Sequence, residues 1–161
     1  MRSEYEVQCA FNRYADTVRR ICFCHLNTRE DSEDIFQEVF LKYMLSDSPF
    51  ESPEHEKAWL IRVTVNACND LNRRLFHRRT VPLDVIAELT AQEEPGTKEV
   101  LSAVLSLPGK YKDVIYLHYY EGYSAAQIGQ ILGKRENTVY SLLSRGREKL
   151  KTELGGEDFV S

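Results

Sequence analysis

The sequence predicts an all-α chain: two small helical domains joined by a flexible acidic linker, the C-terminal one a helix-turn-helix. Three observations carry this. Apolar residues recur at steps of three and four along most of the chain, the spacing of amphipathic helices. Only eight Gly and five Pro occur among 161 residues, too few for a sandwich or barrel with many tight turns. One stretch, residues 80–97, interrupts the periodicity with two prolines and several acids and divides the chain.

Each element follows in order. Residues 5–26 place Val7, Ala10, Phe11, Tyr14, Val18, Ile21 and Cys22 or Leu26 at helical steps. The stretch NTRED follows as a capping segment, where Asp31, with Asp34 three residues on, opens a second helix. That helix carries Ile35, Phe36, Val39, Phe40, Tyr43 and Met44. SDSPFESPEHE, Ser46 to Glu56, holds two prolines and reads as a loop. A long helix is expected from about Glu54 to Leu75. Trp59, Leu60, Val63, Ala67, Leu71 and Leu75 form its apolar stripe, and Arg62, Asn66, Asp70, Asn72, Arg73 and Arg74 lie on other faces.

Beyond it, the apolar patch Leu83–Leu89 inside the linker is long enough for a turn of helix. Val100, Leu101, Val104, Leu105 and Leu107 then lead to a break at Pro108–Gly109, and Tyr111, Val114, Ile115, Leu117 and His118 form a further helix. The expected domains are 1–80 and 98–154, with the linker at 81–97 and a tail at 155–161.

Net charge is −4, but its distribution is uneven. Thr28 to Glu56 holds nine acids against two Lys/Arg, and Asp84 to Glu99 five acids against one Lys. Arg62 to Arg79 holds five Arg against one Asp, and Lys134 to Lys151 six Lys/Arg against two Glu. Two basic stripes thus sit in an acidic chain, and local fields decide partners because screening cuts interactions beyond about 8–10 Å. No apolar run approaches the roughly 20 residues of a membrane span, and the N-terminal segment has no secretory apolar core. Membrane insertion is therefore not expected. Cys9, Cys22, Cys24 and Cys68 show no C-x-x-C spacing. They read as reduced thiols of a cytoplasmic protein rather than metal ligands, so no metal and no cofactor is expected.

Residues 124–147, SAAQIGQILGKRENTVYSLLSRGR, carry the most specific local pattern. Ser124 is a good N-cap. Gly129 falls where two helices touch closely, and Gly133 supplies the turn between them. Val139 and Leu142 face back onto the first helix. The second helix turns outward Asn137, Thr138, Tyr140, Ser141, Ser144, Arg145 and then Arg147. Polar side chains at its start can reach base edges, and the cations further along can reach phosphates. An ordinary helical hairpin with a solvated basic face is the bland alternative.

Three blocks together resemble the extracytoplasmic-function (ECF) sigma factors of bacterial RNA polymerase. DSEDIFQEVFLKYM, Asp31–Met44, is similar to the family's D-A-E-D-x-x-Q-E-x-F block. KAWLIRVTVNACNDLNRR, Lys57–Arg74, is similar to its W-L-x-R-I-A-x-N-x-x-D-x-x-R-R block. TVYSLLSRGREKL, Thr138–Leu150, is close to T-V-x-S-R-L-x-R-A-R-x-x-L. They occur in family order across nearly the whole chain.

The resemblance implies roles by matching position. Asp34, Gln37 and Glu38, with Phe40 and Leu41 beside them, fall in the block that docks on the clamp helices of the polymerase β′ subunit. Phe50, in the loop nine residues before Trp59, and Asn66 fall where a flipped base of the minus-ten element is held. Arg62, Asp70, Arg73 and Arg74 accompany them. Asn137, Thr138, Tyr140, Ser141, Ser144, Arg145 and Arg147 fall where the minus-thirty-five element is read. Core polymerase (β′ clamp helices and β flap), promoter DNA and an anti-sigma factor are the implied partners.

Some positions depart from the family pattern. Leu142 and Tyr140 stand where Arg and Lys or Arg are usual, Thr64 where Ala is, and Arg135 where an N-cap Ser or Pro is common. The residues show no phosphate-cradling Gly loop, no H-E-x-x-H and no Ser/His/Asp grouping, so an enzyme is not expected. The alternative is a stand-alone helix-turn-helix regulator binding operator DNA. It leaves the acidic helix and the W-L-x-R block without a role.

Overall fold

The first helix begins at a reciprocal cap: the Ser3 hydroxyl accepts the Glu6 N–H at 3.2 Å and the Glu6 carboxylate accepts the Ser3 N–H at 2.9 Å. Those two bonds, backbone first, hold the Glu6 carboxyl below its usual pKa. The computed structural model describes residues 1–26, 28–75 and 95–155, with side chains in the last span described from residue 99. Its regular structure is all helix, with no strand among the described residues. The helices are α1 (Glu4–His25), α2 (Arg29–Leu45), α3 (Pro53–Leu75), α4 (Pro95–Leu105), α5 (Gly109–Tyr119), α6 (Ala125–Leu132) and α7 (Glu136–Glu153). The chain divides into two compact units, Met1–Arg78 and Arg79–Ser161.

In the first unit α1, α2 and α3 pack on each other around one core. Ala10, Tyr14, Val18 and Cys22 come from α1, Ile35, Val39, Phe40 and Tyr43 from α2, and Leu60, Ala67 and Cys68 from α3. Each large apolar side chain buried in this way contributes about 1.5–3 kcal/mol before entropy is charged against it. The cap of α2 is Thr28, whose hydroxyl accepts the Asp31 N–H at 3.0 Å, and not Asp31 as expected from sequence. Asp31 sits within the first turn, where its charge meets the free N–H groups of the helix end. The start of α3, at Pro53, agrees with the expected start at about Glu54. Pro53 occupies the first helical position, which its fixed φ suits, and the Ser52 hydroxyl accepts the His55 N–H at 3.1 Å.

Asn72 corrects the sequence reading that put it on a polar face. It is buried, and its side-chain amide donates to the His25 carbonyl at 2.8 Å, tying the end of α3 to the end of α1. Thr64, at the position where the family has Ala, is buried too. Its hydroxyl is satisfied by the Leu60 carbonyl one turn back, at 2.6 Å.

In the second unit α5 and α6 both pack on α7, and α4 packs on α5 and α7. Pro95 opens α4, so part of the expected linker is helical. Residues 81–94 of that linker with the Leu83–Leu89 patch, Arg78 and Arg79 of the basic cluster, and tail residues 156–161 lie outside the described residues. Ser124 and Gln127 form a second reciprocal cap, at the start of α6. Gly133 ends α6 in the left-handed conformation, φ +69°, which only glycine adopts without strain. Val139 and Leu142 are buried as expected, so Leu142, where the family pattern carries Arg, packs inward.

Candidate functional site

The expected contact residues fall on α2, on α3 with the loop before it, and on α7. On α2, Asp34 and Gln37 are exposed, Leu41 is 50% exposed, and Glu38 is partly covered, paired with Lys42 at 2.9 Å. Spaced three and four apart, they form one acidic-polar face with an apolar residue at its end. Leu45, 58% exposed, extends that face by another turn. Phe40 does not belong to it. Its ring is buried against Phe11 and Phe36, with centroids 5.4 and 5.0 Å away. It supports the face from behind.

On α3, Arg62, Asn66, Asp70, Arg73 and Arg74 are all exposed. Arg62, Asn66, Asp70 and Arg73 follow steps of four, four and three, so they line one stripe. Asp70 and Arg73 pair within it. Glu38 of α2 joins Ala67, Asp70, Arg73 and Arg74 around a cleft of about 460 Å³. The acidic face of α2 therefore adjoins the basic end of α3, although the family resemblance implies separate partners for the two.

The loop between α2 and α3 holds Phe50 against a cluster of rings. Phe50 lies parallel to Tyr43 (3° between planes, centroids 6.2 Å apart), edge-on to Trp59 at 5.7 Å and edge-on to His55 at 5.4 Å. Trp59 packs against the core, as its place on the apolar stripe implied. Tyr43 anchors the cluster: its hydroxyl donates to Glu56 Oε2 at 2.6 Å. Burial first, and then this bond and the Glu56 charge, raise the Tyr43 pKa far above the usual phenol range. The Tyr14 hydroxyl donates to the Pro53 carbonyl at 3.0 Å and fixes the other side of the loop.

On α7, Asn137, Thr138, Tyr140, Ser141, Ser144 and Arg145 are exposed, and Val139, Leu142, Leu143, Gly146 and Leu150 face inward. Arg147 is placed differently. It is half-buried and donates to the Tyr119 hydroxyl at 3.0 Å, so its charge is oriented by α5. Arg135 is the N-cap residue of α7 but supplies no side-chain bond to it. Two further residues at these faces lie outside the expected set, Tyr119 and Arg2, and the Arg2 guanidinium lies against Tyr43 and Phe50. Neither sits in a periodic pattern or a family block, so no sequence signal pointed to them.

A three-helix unit with an acidic face and a basic stripe, then a unit built around a helix-turn-helix, places the chain among two-unit, all-α helix-turn-helix proteins. Comparison with known proteins narrows the class. The family model described as Sigma-70 region 2 matches residues 10–79, and that described as Sigma-70, region 4 matches residues 97–150. The ECF RNA polymerase sigma factor SigM of Mycobacterium tuberculosis is 31% identical over 154 residues, covering 94% of this chain and 78% of SigM. The RNA polymerase sigma factor SigV of Bacillus subtilis is 28% identical over 141 residues, covering 86% of this chain and 85% of SigV.

Among solved structures, the sigma factor RpoE of Bartonella quintana, in complex with the anti-sigma factor NepR, superposes with a TM-score of 0.74 at 18% identity, covering 95% of this chain and 99% of RpoE. CnrH, in complex with the cytosolic domain of CnrY, superposes at 0.70 with 23% identity, covering 97% of this chain and 92% of CnrH. The chain belongs to the ECF family of RNA polymerase sigma factors. It is all-α, and its family is one of transcription-initiation factors. No helix among the described residues is long and apolar enough to cross a membrane.

Proposed function

We propose that the chain selects promoters for bacterial RNA polymerase in the cytoplasm through three surfaces and contributes no catalytic group of its own. The α2 face of Asp34, Gln37, Glu38 and Leu41 docks on core polymerase, where an acidic-polar helix with an apolar end suits a basic coiled-coil partner. The Phe50 loop and the α3 stripe of Arg62, Asn66, Asp70, Arg73 and Arg74 meet the minus-ten element. There, Arg side chains neutralise phosphates while a ring and an amide hold a base out of the stack. The α7 face of Asn137, Thr138, Tyr140, Ser141, Ser144 and Arg145 reads the minus-thirty-five element in the major groove, with Arg147 held at its edge.

In this reading residues 1–80 are the core-binding and minus-ten module and residues 98–154 the minus-thirty-five module. Residues 81–97 connect them, and 155–161 are a tail. The supporting observation is the order and extent of the two family matches, 10–79 and then 97–150. A stand-alone regulator would leave the first of these without a use. An anti-sigma factor is part of the proposal, since the RpoE structure is a complex with one.

The test is run-off transcription on promoter-bearing genomic fragments with purified bacterial core polymerase, with and without this protein. Defined transcripts that require the protein support the reading. Tight duplex binding by the protein alone, without core binding, refutes it.

A further inference from the structure

Arg2 precedes the first helix, and no role assigned above uses it. Its side chain is nonetheless only 11% exposed. The Arg2 N–H donates to the Met44 carbonyl at 2.8 Å, its Nε donates to the Tyr43 carbonyl at 3.2 Å, and its Nη2 donates to the Ser48 carbonyl. Its guanidinium carbon lies 4.6 Å from the centroid of the Tyr43 ring and 4.7 Å from that of Phe50. A more distant contact joins Nη1 to Glu6 Oε1 at 3.7 Å.

One residue thus grips the last carbonyls of α2 and the loop two residues before Phe50. The chemistry suits arginine specifically. Carbonyls at a helix C-terminus carry the negative end of the dipole, and that of Tyr43, which also accepts the Ser46 N–H at 3.2 Å, has a second lone pair for the guanidinium. A planar guanidinium can meet two carbonyls while its face lies on a ring, which an ammonium cannot do. The other side-chain hydrogen bonds of the loop are exposed: Ser48 N–H to Ser46 Oγ and Glu51 N–H to His55 Nδ1 at 3.2 Å, His55 N–H to Ser52 Oγ at 3.1 Å, and the Met1 ammonium to Asp47 Oδ1 at 2.6 Å.

We propose that Arg2 is a positioning residue for promoter opening. It presets the loop at 46–52 so that Phe50 meets an unpaired base of the minus-ten strand with the loop already ordered. A loop ordered in advance surrenders less conformational entropy when the strand binds. The proposal rests on the minus-ten role given to this loop above.

The test compares the full-length wild-type chain with Arg2→Met, which keeps the stem and removes the fork, and with Arg2→Lys, which keeps the charge. Three quantities are read: affinity for core polymerase, permanganate reactivity of unpaired thymines at mapped start sites, and base preference across the minus-ten element. Acrylamide quenching of Trp59, the single tryptophan, gives a readout that needs no promoter.

Core affinity is expected to stay within twofold of wild type. Loss of a charged hydrogen bond at this site is expected to lower opening by about tenfold in Arg2→Met, with a flattened minus-ten preference and stronger Trp59 quenching. Arg2→Lys is expected to fall nearer Arg2→Met than wild type, and it carries the test if Arg2→Met does not unfold cooperatively. Opening and base preference within twofold of wild type in Arg2→Lys overturn the proposal. So does a loss of core affinity equal to the loss of opening, which would make Arg2 a general support of the unit. If the wild-type chain itself yields no transcript, the sigma reading falls together with this one.

Discussion

Gly129 and Lys134 meet at the turn of the helix-turn-helix: the Lys134 N–H donates to the Gly129 carbonyl at 2.8 Å, and a methyl group on Gly129 would stand 2.6 Å from the Lys134 carbonyl oxygen. The obstacle is backbone of the turn and not the end of a flexible side chain, so relief requires the turn itself to shift. Gly129→Ala is therefore expected to destabilise the protein by about 2–3 kcal/mol despite alanine's better helix propensity. At Gly146 the nearest atom to such a methyl is Ile115 Cγ1, at 2.9 Å, on a fully buried side chain that must repack but is not backbone. Gly146→Ala is expected to cost less, about 1–2 kcal/mol. Urea unfolding followed by circular dichroism ranks the two, and equal stabilities would refute the distinction.

The two helices of the motif are capped unequally. Ser124 and Gln127 close a reciprocal cap on α6, whereas Arg135 gives α7 no side-chain bond. Ser124→Ala is expected to lose about 1 kcal/mol, and Arg135→Ser to gain about 0.5–1 kcal/mol. Arg135 is also an exposed cation at the start of the proposed recognition helix. Its substitution should raise the melting temperature while weakening promoter binding, most visibly at low salt. A variant that moves both quantities in the same direction contradicts the assignment.

How much of this was legible in the sequence depends on the range of the interaction. Helical spacing located α1, α2, α3, α5, α6 and α7, and family order located the candidate faces, because both are local patterns. Contacts between distant segments left no such trace. Asn72 looked like one more polar residue of a basic helix end, yet it is buried on the His25 carbonyl, 47 residues away. Phe40 and Leu41 are neighbours in one block, but one is core and the other is half exposed. A 100° step per residue separates them, and the position of the α1 aromatics decides which is covered. Arg2 belongs to no repeat at all, and only the fold brings it to Tyr43 and Phe50.

The Tyr43–Glu56 bond implies a dependence on alkaline pH. Burial, and then the Glu56 bond and charge, raise the Tyr43 pKa, with Arg2 opposing weakly. Tyr14 is raised by burial first and by Glu56. A phenol whose folded pKa exceeds its unfolded value of about 10 contributes fully below that pH and loses its contribution as pH rises toward the folded value. The first unit is thus expected to be stable to about pH 10 and to weaken above it. Tyr43→Phe should cost about 1 kcal/mol at neutral pH, by removing one hydroxyl donor from Glu56, and should make the alkaline decline shallower. Trp59 lies 6.2 Å from Tyr43, so its emission during urea unfolding at pH 8 and 10.5 reads this unit. An unchanged decline in the variant would refute the assignment.

Arg145 and Arg147 stand two residues apart on α7 and are expected to fail in opposite ways. Arg145 is exposed, while Arg147 is half-buried and donates to the Tyr119 hydroxyl. Arg145→Ala should leave stability within about 0.5 kcal/mol of wild type. If it reads a base, it should weaken binding to the matching minus-thirty-five element by about 1–3 kcal/mol and relax preference at one position. Arg147→Ala removes a stem packed on the unit together with a hydrogen bond, and should lower stability by about 1 kcal/mol. Tyr119→Phe separates the two effects: it removes the acceptor but leaves the Arg147 charge. Its stability should fall part of the way toward Arg147→Ala, with base preference intact. Holoenzyme binding to a minus-thirty-five library, run beside thermal unfolding of each variant, distinguishes these outcomes. Relaxed base preference in Tyr119→Phe would instead place Arg147 among the base-reading residues, with Tyr119 aiming it.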